Sequence, residues 1–110
     1  MTRLIVIAAF ALAGIMVPAV AEETAEHSIV IKDHKFDPEE LKVPAGKVIV
    51  LTVDNQDATP EELESPLLKI EKIIPGNSKG KVRFGPLVAD TYLFYGEFNV
   101  ETARGVVTAE

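Results

Sequence analysis

The chain has no cysteine and no tryptophan, and its 110 residues include only two histidines. Without cysteine there is no disulfide, no lipid-modified start of a lipoprotein and no thiolate-ligated metal, so the usual structural zinc site is excluded. No HExxH motif occurs, and the glycines stand singly at turns rather than in a phosphate-binding loop. Ser28, Ser65 and Ser78 lack any nucleophile motif, and His27 and His34 are the only imidazole bases available to one. Basic residues are also scarce, 11 against 17 acidic, for a formal charge of −6. That balance disfavours nucleic acid and anionic lipid as partners and is compatible with a cation.

The one long apolar run is Leu4 to Val17, preceded by Arg3 and followed by Ala19-Val20-Ala21. It falls below the length of about 18 residues expected of a spanning helix. A basic start, a short apolar stretch and small residues at a cleavage point read as a signal peptide over 1–21, cleaved before Glu22. The expected product is one small exported, periplasmic domain over 28–110, with 22–27 as a flexible start.

Turn residues cut that domain into short β-rich runs. "SIVIK", "LKV", "VIVLTVD", the stretch from "LES" through "KIEKII", "KVRF", "YLFY" and "VVTA" are separated by Pro, Gly, Asn and Asp clusters. About seven strands and no long helix predict an all-β sandwich or small barrel. "NVETARG" is the one place where a helical turn is expected, with Asn99 as its cap.

Carboxylates at strand ends are the residues most able to carry chemistry. Glu61, Glu62 and Glu64 lie in "PEELES"; in a strand, Glu62 and Glu64 share a face opposite Leu63. Glu71 interrupts the apolar "KIEKI", and Glu97 and Glu101 follow the "YLFY" strand. Their oxygens suit hard or borderline cations such as ferric iron, manganese or calcium. Equally, Glu61, Glu64 and Glu101 read as a solvated rim. Glu62, Glu71 and Glu97, set between apolar neighbours, are expected to be more buried and to need a cation or a partner such as Lys69, Lys72 or Arg83.

"HKFDPEELKVPAGKVIVLTVDNQD" resembles the first half of a cupredoxin domain, and "DTYLFYGEFNVETARGVVTA" its second half, so the resemblance covers nearly all of the mature chain. It implies a Greek-key β-sandwich. "PEELESPLLKIEKIIPG" with "YGEF" and "TARG" is more narrowly similar to the small periplasmic cupredoxin-like proteins of bacterial iron uptake. Those work beside a second periplasmic metal-binding protein and an iron permease of the membrane. Against the cupredoxin pattern, the cysteine position falls at Gly96, the second histidine near Asn99, the methionine near Ala103 and the first histidine within Glu61 to Glu62. None of the four ligand types is present, which excludes a type 1 copper centre. Copper in another form stays open.

The iron-uptake resemblance implies Glu62 and Glu97 as the primary oxygen ligands. Glu64, Glu71 and Asn99 are expected helpers, with Asn99 standing where a histidine is expected. His34, on the loop after the first strand, can replace that histidine if it reaches the same end of the barrel; otherwise it is an exposed loop residue. Three functions follow as expectations. The leading one is a metal-binding accessory protein that carries iron; the others are a ferroxidase component acting with a partner and a metal-free interaction module.

Overall fold

A computed structural model of the chain describes Gly14 and residues 23–110. The signal-peptide reading of 1–21 falls, Gly14 apart, outside the described residues. Among the described residues no helix is long and apolar enough to cross a membrane.

The domain has nine strands: β1 (Thr24–Lys32), β2 (Lys35–Asp37), β3 (Glu40–Val43), β4 (Val48–Asn55), β5 (Glu61–Ser65), β6 (Ile70–Ile74), β7 (Ser78–Phe84), β8 (Asp90–Gly96) and β9 (Arg104–Ala109). They form a four-stranded sheet in the order β2-β1-β4-β7 and a five-stranded sheet in the order β3-β9-β8-β5-β6. β1 and β4 run parallel, as do β3 and β9, and the other pairs are antiparallel.

The expected all-β sandwich is present, with two strands more than expected. β2 pairs with β1 through only three residues, Lys35 to Asp37, and only Phe36 among them is buried. So short a run leaves no alternation to read. The stretch "LESPLLKIEKII" is two strands, because Pro66 to Lys69 turn and Lys69 takes a positive φ of 56°. β1 also reaches back to Thr24, and Thr24 to His27 pair with Val48 to Leu51, so most of the expected flexible start belongs to the sheet. The helical turn is a 3-10 turn at Glu97–Asn99, and its N-cap is Gly96, three residues before the expected Asn99, with no side-chain cap.

Both sheets alternate. Ile29 and Ile31 of β1, Val53 of β4, Leu63 of β5, Ile74 of β6 and Val107 of β9 are almost wholly buried between the layers. Phe36 meets Phe94 edge to face, 4.9 Å between ring centroids, which joins the two sheets. At the end of the sandwich nearest the β8–β9 loop, buried Asn55 ties the layers together. Its Nδ2 donates to the carbonyls of Thr59 at 3.0 Å and Ile74 at 3.1 Å, and its Oδ1 accepts from Asp57 N at 3.1 Å.

Candidate metal centre

β5 lies inside the five-stranded sheet, between β8 and β6. Its alternation turns Glu61, Leu63 and Ser65 inward and Glu62 and Glu64 outward. Register then decides the neighbours of the outward pair. Glu64 stands opposite Glu71 of β6 on one side and Tyr95 of β8 on the other. Among the described residues, Glu62, Glu64 and Glu71 can each present a carboxylate oxygen within 4.8 Å of the others. Two oxygens on one ion, each at about 2.0–2.6 Å, lie no more than about 5 Å apart, so these three can share a cation.

Electrostatics at the cluster is unfavourable without one. The Glu62 carboxyl is pushed up from its ordinary 4.5 to about 7. The largest cause is its hydrogen bond with Glu64, followed by partial desolvation and the negative charges of Glu64 and Glu71. The proton of Glu62, hydrogen-bonded to Glu64, is therefore held to higher pH than an ordinary carboxyl holds one. Tyr95 Oη donates to Glu64 Oε2 at 2.9 Å. That bond raises the phenol above its usual range, with desolvation and the charges of Glu64, Glu97 and Glu62 adding to it.

The other expected ligands lie elsewhere. Glu97 is exposed at the start of the 3-10 turn and borders an open cleft of about 500 Å³ with Leu93, Tyr95, Val100 and Arg104; it does not belong to the three-carboxylate group. Asn99 turns inward to Glu61, with its Nδ2 2.7 Å from Glu61 Oε2. His34 is exposed at φ 57°, held by Asp57, whose carboxylate accepts from the backbone N–H of Asp33 at 2.9 Å and of His34 at 3.0 Å. His34 Nε2 lies 3.4 Å from Thr59 Oγ1. The ring faces the cleft lined by Phe98, Asn99, Glu101 and Thr102. It reaches the loop end of the sandwich but not the carboxylate cluster.

The expected burial of the acids holds for Glu62 and Glu101 and fails for the others. Glu62 and Glu64 are half-buried and Glu71 and Glu97 exposed, whereas Glu61, read as a rim residue, is 1% exposed. Apolar neighbours in sequence misled because a strand sends adjacent side chains to opposite faces. The alternation that pairs Glu62 with Glu64 already placed Glu61 with Leu63. Tyr95 was missed as a partner of the cluster, and only the β5–β8 register reveals it.

Glu61 fills the inner end of the site. Its Oε1 accepts from the N–H of Glu62 at 3.1 Å and of Phe98 at 2.9 Å, and its Oε2 accepts from Asn99. Type 1 copper does not fit there. The groups at the four positions, Glu61, Gly96, Asn99 and Ala103, offer no sulfur and no imidazole, and the groups facing the carboxylate are N–H donors.

The cupredoxin-like domain family matches residues 4–109 of the chain. An uncharacterised protein of Rickettsia prowazekii (strain Madrid E) is 39% identical over 82 residues, which cover 74% of this chain and 66% of that protein. Auracyanin A, described as a "blue" copper protein from Chloroflexus aurantiacus, superposes with a TM-score of 0.69 at 18% identity, covering 80% of this chain and 100% of its own. The metal-binding domain of the Cu(I)-exporting P-type ATPase of Streptococcus pneumoniae D39 superposes with a TM-score of 0.67 at 15% identity, covering 79% of this chain and 86% of its own. At such identities the two structures share the fold alone. With the family match spanning nearly the whole sequence, the chain belongs to the cupredoxin-like domain family.

Proposed function

We propose that this protein is an exported carrier that takes a hard cation, iron first, on the outer face of its five-stranded sheet. Glu62, Glu64 and Glu71 are the ligands, and Tyr95 supports Glu64. The observation that carries this reading is the convergence of three carboxylates within 4.8 Å on two paired strands. Like charges placed side by side across strands oppose each other unless a proton or a cation lies between them. Oxygen-only donors with a neighbouring phenol favour iron(III) or manganese over copper(I). The resemblance to small periplasmic iron-uptake proteins supports the rest of the reading: location in the periplasm, and delivery to a second metal-binding protein or an iron permease.

Titration calorimetry of the purified protein with Mn²⁺ and with a weakly chelated Fe³⁺ tests the site. The expected result is one equivalent bound, lost in the Glu62→Gln/Glu64→Gln double variant and kept in Glu97→Gln. A flat titration of the unaltered protein would remove the carrier reading and leave the metal-free interaction module, which the sealed Glu61 position favours.

A further inference from the structure

Behind the loop that joins β8 to β9, four residues converge: Glu61 from β5, Gly96 at the end of β8, Asn99 in the 3-10 turn and Ala103 before β9. A methyl group built on Gly96 would lie 2.5 Å from Glu61 Cδ, 2.8 Å from Glu61 Oε1 and 2.8 Å from Ala103 Cβ. By the sequence resemblance these four residues lie at or next to the positions expected for the two histidines, the cysteine and the methionine of a copper centre. Here the space between them is taken by a carboxylate.

The surroundings suit that anion and no cation. Two backbone N–H groups, of Glu62 and Phe98, and the side-chain amide of Asn99 all point at Glu61. An ionised acceptor strengthens each of these bonds. Asn99 spends its Nδ2 on the carboxylate. The loop also closes on its own backbone: Gly96 N donates to Ala103 O at 2.9 Å, and Asn99 O accepts from Thr102 N at 3.2 Å and Ala103 N at 2.8 Å. Glu61 thus bonds the middle of a loop whose ends are already fastened.

The geometry points to Glu61 as a built-in occupant of the interior site: its carboxylate fastens the 97–102 loop to β5 without any ion and closes that position to metals. The role is structural and specificity-determining. A bound ion would cross-link strand and loop through its ligands; here one side chain makes the same link through hydrogen bonds, and the link cannot be lost by chelation. Gly96 suits it, since a side chain at that position would meet both the Glu61 carboxylate and Ala103 Cβ. The inference is independent of the outer-face cation site.

The test is amide hydrogen exchange by NMR on the purified protein carrying Glu62→Gln and Glu64→Gln, so that outer-face binding does not contribute. In that background the Phe98 backbone amide is expected to be protected after exhaustive chelation. Its signal and that of the Asn99 side chain are expected to stay put on addition of diamagnetic Ga³⁺, Zn²⁺ or Cu⁺. Adding Glu61→Ala is expected to speed Phe98 exchange at least about tenfold while amides of the β1–β4 pair keep their order of protection. Gly96→Ala is expected to lower Tm in both backgrounds, since the new methyl also meets Ala103 Cβ, and to lower it less when Glu61 is alanine. Three results would overturn the inference: metal-dependent shifts at Phe98 and Asn99 that vanish in Glu61→Ala, unchanged Phe98 exchange in that variant, or an equal Gly96→Ala loss in both backgrounds. Should Glu61→Ala fail to fold, the chelation and metal-addition arm with Glu61 intact still decides.

Discussion

Glu61 and Glu62 are adjacent in sequence and identical in chemistry, yet they occupy opposite electrostatic environments. Glu61 faces inward, almost wholly buried, and meets three N–H donors. Glu62 faces outward and meets two more carboxylates. Burial alone would make Glu61 the costly one, since removing a charge from water is unfavourable. Directed donors reverse that order: the buried acid is satisfied and the partly exposed one is frustrated. What a carboxylate faces, more than its depth, separates a fastening from a ligand in this domain.

The largest effect that would break the comparison comes from the buried side. Glu61→Ala leaves the part-buried N–H groups of Glu62 and Phe98 and the Asn99 amide without their acceptor, at about 1 kcal/mol for each such bond. A loss of about 3 kcal/mol is expected, or roughly 15 °C in Tm for a domain of this size, measured by calorimetry. If Tm stays within a few degrees, the donors find other partners and the contrast with Glu62 collapses. Asn55→Ala is a milder probe of the same end. It removes donors from the carbonyls of Thr59 and Ile74 and an acceptor from Asp57 N, and a loss of about 2 kcal/mol is expected, read from urea denaturation.

The outer cluster responds to pH instead. A carboxyl raised in the folded state binds its proton more tightly there than in the unfolded chain. Its contribution to stability is therefore full below the ordinary 4.5 and is lost as pH rises through about 7. The groups setting this are Glu64 on the same strand and Glu71 on β6, with desolvation adding to them; the Tyr95 phenol on β8 bonds Glu64. Glu64→Gln removes the first cause, so the denaturation midpoint is expected to fall less between pH 5 and about pH 7.5 than in the unaltered protein. Equal slopes in the two proteins would show that Glu62 is not held up by Glu64.

Much of this fold was legible in the sequence, because β-branched runs and Pro/Gly punctuation state the strands directly. "VIVLTVD" and "VVTA" are strands at nearly their predicted bounds. The three-residue β2 had too little pattern, and the Pro66–Lys69 turn was hidden inside an apolar run. The site was less legible for a different reason. Alternation within β5 pairs Glu62 with Glu64, but only the sheet order brings Glu71 and Tyr95 alongside and sends Glu97 elsewhere. The inward face of Glu61 follows from the β5 alternation, but two of its three donors come from Phe98 and Asn99, 37 and 38 residues away. No local pattern announces such a partner.

The smallest effect sharpens the comparison most. If a cation replaces the proton that Glu62 holds beside Glu64 and Glu71, binding must release that proton, and affinity must depend on how firmly it is held. Below about pH 7 the apparent affinity for Mn²⁺ is then expected to rise up to about tenfold per pH unit, and to level off above it as Glu62 ionises unaided. Tyr95→Phe takes away the phenol that bonds Glu64. Relieved of that donor, Glu64 is free to bond Glu62 more closely, so the pH at which affinity levels off is expected to move slightly upward. Glu97→Gln, one residue beyond β8 and outside the cluster, is expected to leave that pH nearly unchanged. Calorimetry in two buffers of different ionisation enthalpy reads the released proton directly. Binding with no proton release at pH 6 would mean that the cation sits elsewhere and that the outward acids are only a solvated rim.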